Sequence, residues 1–154
     1  MFMTETLTLW HGSPRKIVGE YLLPMQAGDI SGSPENNHEG IYAIDKREFA
    51  IVMAILKCKG TRGGSMLDLS ATVPEGIIIE GWPVQKQVYL HRLAADTFRQ
   101  VSGNQWVSFS RVKPLETEEI AVKEFMHLIR PAIDEEKHAF YRIASINARK
   151  RIKA

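Results

Sequence analysis

An α+β fold, one domain of bent antiparallel sheets with one early helix and a C-terminal helix, follows from three observations. Apolar residues alternate with period two in several short runs, among them TLTLW, QVYLHRL and QWVSFS. Two other stretches carry helical spacing, one near residue 50 and one beyond residue 130. No internal repeat links the two patterns. At 154 residues the chain suits a single domain, and folding at this size hides roughly 70% of the unfolded surface.

The elements come in the following order. TLTLW reads as a short strand ending at Trp10, with Pro14 stopping its continuation. From about Tyr21 to Gly40, prolines, glycines and ENNH predict a long irregular connection, of the kind that is functional or mobile. GIYAI is the next strand. Asp45 and Glu48 then form a D-x-x-E start signal, and Phe49, Val52, Met53 and Leu56 recur at i, i+3, i+4 and i+7, predicting a helix from about Lys46 to Cys58.

KGTRGGS reads as a flexible loop, and GIIIEGW and QVYLHRL, separated by PVQK, as neighbouring strands. QWVSFS and EEIAV make two more, joined by RVKPLET. After Phe125 the period is helical again, with Ala139, Ile143 and Ile146 on one face behind DEEKH. Acidic residues at the start of that helix and basic residues at its end suit the helix dipole. The layout is a main domain over residues 1–125 and a helical extension over residues 126–154 packed on it.

Composition excludes several classes. With 44% hydrophobic and 25% charged residues, the chain is globular. No long apolar run predicts a membrane span, and MFMTETLT lacks the basic start of a secretory signal, so the expected location is the cytoplasm. Cys58 is the single cysteine, which rules out an internal disulfide and argues against a cysteine zinc cluster. The net charge of +2 is small, but Arg149, Lys150, Arg151 and Lys153 gather at the C-terminus. They read as a solvated helix end, with nucleic acid as the competing partner.

Among catalytic signatures there is no G-x-S-x-G, H-E-x-x-H or G-x-x-x-x-G-K-[ST]. GTRGGS follows a helix instead of opening one, so it is a poor phosphate loop. His38, His127 and His138 lack metal-ligand spacing and read as surface or packing residues, and no metal is expected. Trp10, Trp82 and Trp106 fall at strand positions and read as core. Taken singly, His11 is a hydrogen-bonding strand end and Tyr42 a half-buried strand residue.

Three motifs in order remain: LWHGS, then GIYAIDKREFAIVMA, then GNQWVSF. Their arrangement resembles the His-Tyr-Glu branch of the ADP-ribosyltransferase superfamily, closest in style to small rifamycin ADP-ribosyltransferases. In that branch a strand ends in His-Gly followed by Ser or Thr, a second carries Tyr before a helix, and a third begins with an acid or Gln. The likeness runs from about Leu7 to Val122 and implies a split β-sandwich that binds NAD as substrate.

The positions that match are His11, Gly12 and Ser13, then Tyr42, then Gln105. The resemblance implies that Gly12 pairs its backbone with the nicotinamide amide, where the lack of a side chain lets the ring approach. His11 would donate to a ribose hydroxyl, and Ser13 would add an auxiliary contact. Tyr42 would lie flat on the nicotinamide, where stacking and cation–π attraction give roughly 0.5–2 kcal/mol. The third residue would bind the nicotinamide ribose and stabilise the developing positive charge.

Glutamine keeps that hydrogen bond and loses the charge. This argues against poly(ADP-ribose) elongation and leaves single transfer, slow transfer or binding alone. Asp96, Glu116, Glu118 and Glu119 are nearby carboxylates that can substitute. The expectation is therefore an NAD-dependent mono-ADP-ribosyltransferase, with a degenerate binding module as the alternative. The acceptor, whether protein, nucleic acid or small molecule, is not legible in the loops.

Overall fold

The computed structural model describes residues 7–26 and 39–153. Its architecture is α+β: two open sheets with a short helix between them and a long helix at the C-terminal end. In chain order the strands are β1 (Thr8–Ser13), β2 (Met25–Gln26) and β3 (Glu39–Ile44), followed by helix α1 (Arg47–Leu56). Then come β4 (Thr61–Met66), β5 (Gly76–Gly81), β6 (Gln87–Ala94), β7 (Phe98–Ser102), β8 (Gln105–Ser108) and β9 (Glu116–Ala121). A 3-10 helix (Val122–Leu128), β10 (Ile129–Pro131) and helix α2 (Asp134–Lys153) complete the chain.

The larger sheet runs β7-β8-β3-β1-β6-β9, with β2 added on β3, and the smaller runs β10-β5-β4. Helix α1 fills the space between them. Its spacing turns Phe49, Val52 and Leu56 inward as expected, and Ala50, Ile51, Ala54 and Ile55 are buried too. Ile78 of β5, Leu90 of β6 and Ile120 of β9 join it in one cluster, with Trp10 against the side. On the opposite face of the large sheet, Leu9, Leu22, Ile41, Ala43, Leu93 and Val112 form a second cluster, on which Trp106 packs.

Several local expectations are corrected. The first strand continues through His11, Gly12 and Ser13, because β6 pairs with it along its whole length. KGTRGGS is mostly strand β4; Gly63 and Gly64 take positive φ where its register with β5 shifts, a conformation only glycine adopts cheaply. GIIIEGW and QVYLHRL belong to different sheets. Asp45 does not cap α1: its carboxylate accepts the Trp106 indole N–H at 3.1 Å, and the helix has no side-chain cap.

The segment 126–154 is not helical throughout, since β10 first adds to β5 in parallel. In α2 the apolar face expected from Ala139, Ile143 and Ile146 lies largely in solvent, with Ile143 45% and Ile146 44% exposed. Phe140 anchors the helix instead, seated over Gly64, where a Cβ would fall 2.4 Å from its ring. Trp82 is also more exposed than expected for a core residue, whereas Trp10 and Trp106 pack on the two clusters. Most of the 21–40 connection, with His38, lies outside the described residues.

Candidate functional site

The three motif strands lie side by side, in the order β8, β3, β1. Strand β3 changes partner along its β1 edge. Ile44 pairs with Trp10 of β1, whereas Gly40 and Glu39 pair with Met25 and Gln26 of β2. Past Trp10, β1 no longer pairs with β3, which leaves a break in the ladder beside Ile41, Tyr42 and Ala43. His11 bridges it: Nδ1 lies 2.6 Å from the Tyr42 carbonyl oxygen. A carbonyl only accepts, so Nδ1 carries the proton and the neutral ring presents Nε2 as an acceptor. Burial lowers the His11 pKa, the Tyr42 bond opposes that shift, and the charge of Lys57 adds to it.

Sequence reasoning missed His91. It stands directly across from His11 on β6 and across from Thr117 on β9, so the three form one row over three strands. The two imidazoles stack with centroids 6.1 Å apart and planes 23° from parallel. His91 is fully buried, its Nδ1 is 2.9 Å from Thr117 Oγ1, and its Nε2 has no hydrogen-bond partner among the described residues. Burial, reinforced by the neighbouring His11, holds its pKa down to about 4. A strand read in isolation gives the alternation of QVYLHRL and not its register, so nothing in the sequence placed His91 behind His11.

Packing also requires a glycine at position 12. A Cβ there would lie 2.0 Å from the Ala50 carbonyl oxygen and 2.9 Å from the Ala54 Cβ. The missing side chain lets α1 lie directly on β1. Ser13 Oγ donates to the Arg15 carbonyl at 2.7 Å and accepts from the Arg15 N–H at 3.2 Å, tying the turn after the strand.

Tyr42 sits half-buried opposite Val107. Gln105, 8% exposed, pairs with Ile44 and so falls in the row Trp10, Ile44, Gln105. Strand alternation puts that row on the α1 face of the sheet, opposite the face that carries Leu9 and His11. The structure thus joins His11 to the Tyr42 backbone, while the Tyr42 side chain, two residues from Ile44, shares the α1 face with Gln105, opposite His11.

The alternative carboxylates separate clearly. Asp96 lies exposed in the turn before β7. Glu116 and Glu118 are held by Arg92 and Arg47, at 3.4 Å and 2.8 Å. Glu119 lies across from Tyr89, itself across from Ser13, and so shares the face of His11. His127 lies in the last turn of the 3-10 helix and His138 is exposed on α2. Among the described residues no group of His, Cys, Asp and Glu gathers to hold a metal, and no helix is long and apolar enough to cross a membrane. The chain matches no family model, no curated protein and no solved structure.

Proposed function

We propose that the gap between β1 and β3 binds NAD and that the chain is an NAD-dependent mono-ADP-ribosyltransferase. The observation that carries this reading is the 2.6 Å bond from His11 Nδ1 to the Tyr42 carbonyl. It joins two motifs 31 residues apart where the ladder between β1 and β3 stops.

The residues take these roles. His11, neutral and with Nδ1–H committed to Tyr42, offers Nε2 to a ribose hydroxyl. The ring therefore accepts this hydrogen bond, the reverse of the direction the resemblance implies. His91, stacked behind it, fixes the plane of the imidazole. Gly12 supplies backbone beside the nicotinamide amide, and Tyr42 supplies an aromatic face for a cationic ring. When the bond between nicotinamide and ribose breaks, positive charge grows on the sugar, and a dipole or anion nearby lowers the barrier. Gln105 offers an amide dipole at the third motif position, and Glu119 is the carboxylate on the face of His11.

The test is incubation of purified protein with NAD labelled in the adenosine half. Binding, slow hydrolysis or label transfer is expected, and each should be lost in Tyr42→Ala and in His11→Ala. An unlabelled, unshifted protein at saturating NAD refutes the reading.

A second reading rests on the uncharged Gln105. The site then binds NAD without turning it over. Transfer gained in Gln105→Glu marks a degenerate catalytic site, whereas binding with no gain marks a binding module.

A further inference from the structure

Several basic side chains on this molecule have acidic or aromatic partners. Arg47 pairs with Glu118, Arg92 with Glu116, Lys113 with Glu20 and Lys137 with Glu80, and Arg130 holds Glu75 and Glu136 together. Others lie over rings, as Lys46 does on Phe49, Arg99 on Phe109 and Arg111 on Tyr21. One cleft of about 500 Å³ gathers three of the others. It lies where the chain leaves β1, where α1 ends and where β4 begins, and Arg15, Lys57 and Lys59 line it with no acidic residue among its walls. None of the three forms an ion pair among the described residues.

The cleft is built from fixed parts. Gln85 clips its rim together: the side-chain carbonyl accepts the Lys59 N–H at 3.1 Å, and the amide group donates to the Pro14 carbonyl and, at 2.6 Å, to the Gln87 carbonyl. Val84 N–H donates to the Lys59 carbonyl at 2.9 Å, and Thr61 Oγ1 to the Cys58 carbonyl at 2.8 Å. The Ser13 hydroxyl fixes the backbone of Arg15 from the other side. The neutral polar groups of the wall are therefore spent on one another, and the unspent donors are the three cations. Like charges brought together from two chain segments, Arg15 after β1 and Lys57 and Lys59 after α1, repel until an anion enters. Burial already lowers the pKa of Lys57, so the charged amine gains from a counter-charge.

We propose that this cleft is a binding site for a phosphate or diphosphate group carried by a small molecule. An arginine fork with two flanking ammonium groups suits a multiply charged tetrahedral anion better than a single carboxylate. The proposal rests on the cleft alone and does not need the NAD reading. Pro14 lies three residues past His11, so the diphosphate of a dinucleotide in the gap is one source of the group, and a separate phosphate-bearing ligand is the other.

The test titrates inorganic pyrophosphate into the isotope-labelled full chain at low salt and follows the amide signals of Arg15, Lys59 and Thr61. Saturable shifts are expected, with affinity falling about tenfold in Lys59→Gln and in Arg15→Gln, as loss of a charge-assisted contact dictates. Lys150→Gln, on α2, should leave it unchanged. Shifts that never saturate, or that weaken equally in Lys150→Gln, overturn the proposal. Saturable pyrophosphate binding that survives in Tyr42→Ala upholds the cleft even where NAD binding fails. Displacement of pyrophosphate by NAD in the wild type identifies the dinucleotide as the source, and simultaneous binding identifies a second ligand.

Discussion

The two α-helices are opposites. Helix α1 has 10 residues and buries seven of them between the sheets, whereas α2 has 20 and holds to the body through Phe140, the bidentate pair of Glu136 with Arg130 at 2.7 and 2.8 Å, and two contacts to Glu80, from Lys137 at 3.6 Å and Tyr141 at 3.0 Å. Length and periodicity do not decide which helix carries the fold; what each one packs against does. Helix α1 also reaches the candidate site, because its Ala50 carbonyl occupies the space where Gly12 would carry a Cβ. A disturbance of α1 is therefore a disturbance of β1 and of His11, while α2 can change with little consequence for either.

Substitutions in the two helices sharpen this contrast. Phe49→Ala should cost about 3–5 kcal/mol, since a ring only 2% exposed is removed from the interior, and the loss should appear in the denaturant midpoint of the whole domain. Phe140→Ala should leave that global midpoint nearly in place and show itself as faster amide exchange confined to α2. Equal global losses in the two variants would show that α2 is as integral as α1.

Acid provides the next largest effect. The pKa of His91 is about 4 in the folded chain, below the ordinary histidine value near 6.5, so between those values the unfolded chain binds more protons. Stability is then full above pH 6.5 and falls as the pH drops toward 4, by on the order of 3 kcal/mol for this group. Lowered in the same direction, His11 adds to the slope. Urea midpoints measured from pH 7 to pH 4 should fall less steeply in His91→Gln; equal slopes would remove His91 from the account.

Gly12→Ala should destabilise by about 2 kcal/mol, because the helix must lift from the strand to admit one methyl group. Calorimetry reads this directly, and an unchanged melting temperature would contradict the close approach of α1 to β1. The smallest effect belongs to the far end of α2. Ile143→Ser and Ile146→Ser should each shift stability by no more than about 0.5 kcal/mol, as changes at exposed positions do. Removal of residues 148–154 should likewise leave the midpoint unchanged. A salt-sensitive loss of nucleic-acid binding on that removal would give Arg149 and Lys150 a role beyond complementing the helix dipole.

How far the sequence could be read follows from where its information lies. Helix α1 and most strands were legible because their signals are local, in the spacing of Phe49, Val52 and Leu56 or the alternation around Leu9 and Leu90. The strand path of TRGGSM was hidden because its two positive-φ glycines mimic a loop. Asp45 has the local signature of a cap, and its actual partner, Trp106, is 61 residues away.

The site divides in the same way. His11, Gly12, Ser13 and Tyr42 stood out as short motifs, and their strands do lie together. The register that sets Gln105 on the other face of the sheet, the stacking of His91 on His11 and the convergence of Arg15, Lys57 and Lys59 are all properties of chain pairing. No single stretch of sequence carries them.

The central claim, that the gap beside Tyr42 holds NAD, is tested most directly by a crystal of the full chain grown with NAD. The expected density places the nicotinamide against Tyr42 and the backbone of Gly12, with a ribose hydroxyl donating to His11 Nε2. A dinucleotide bound away from these residues, or a gap that stays closed by the His11–Tyr42 bond at saturating NAD, would contradict the account.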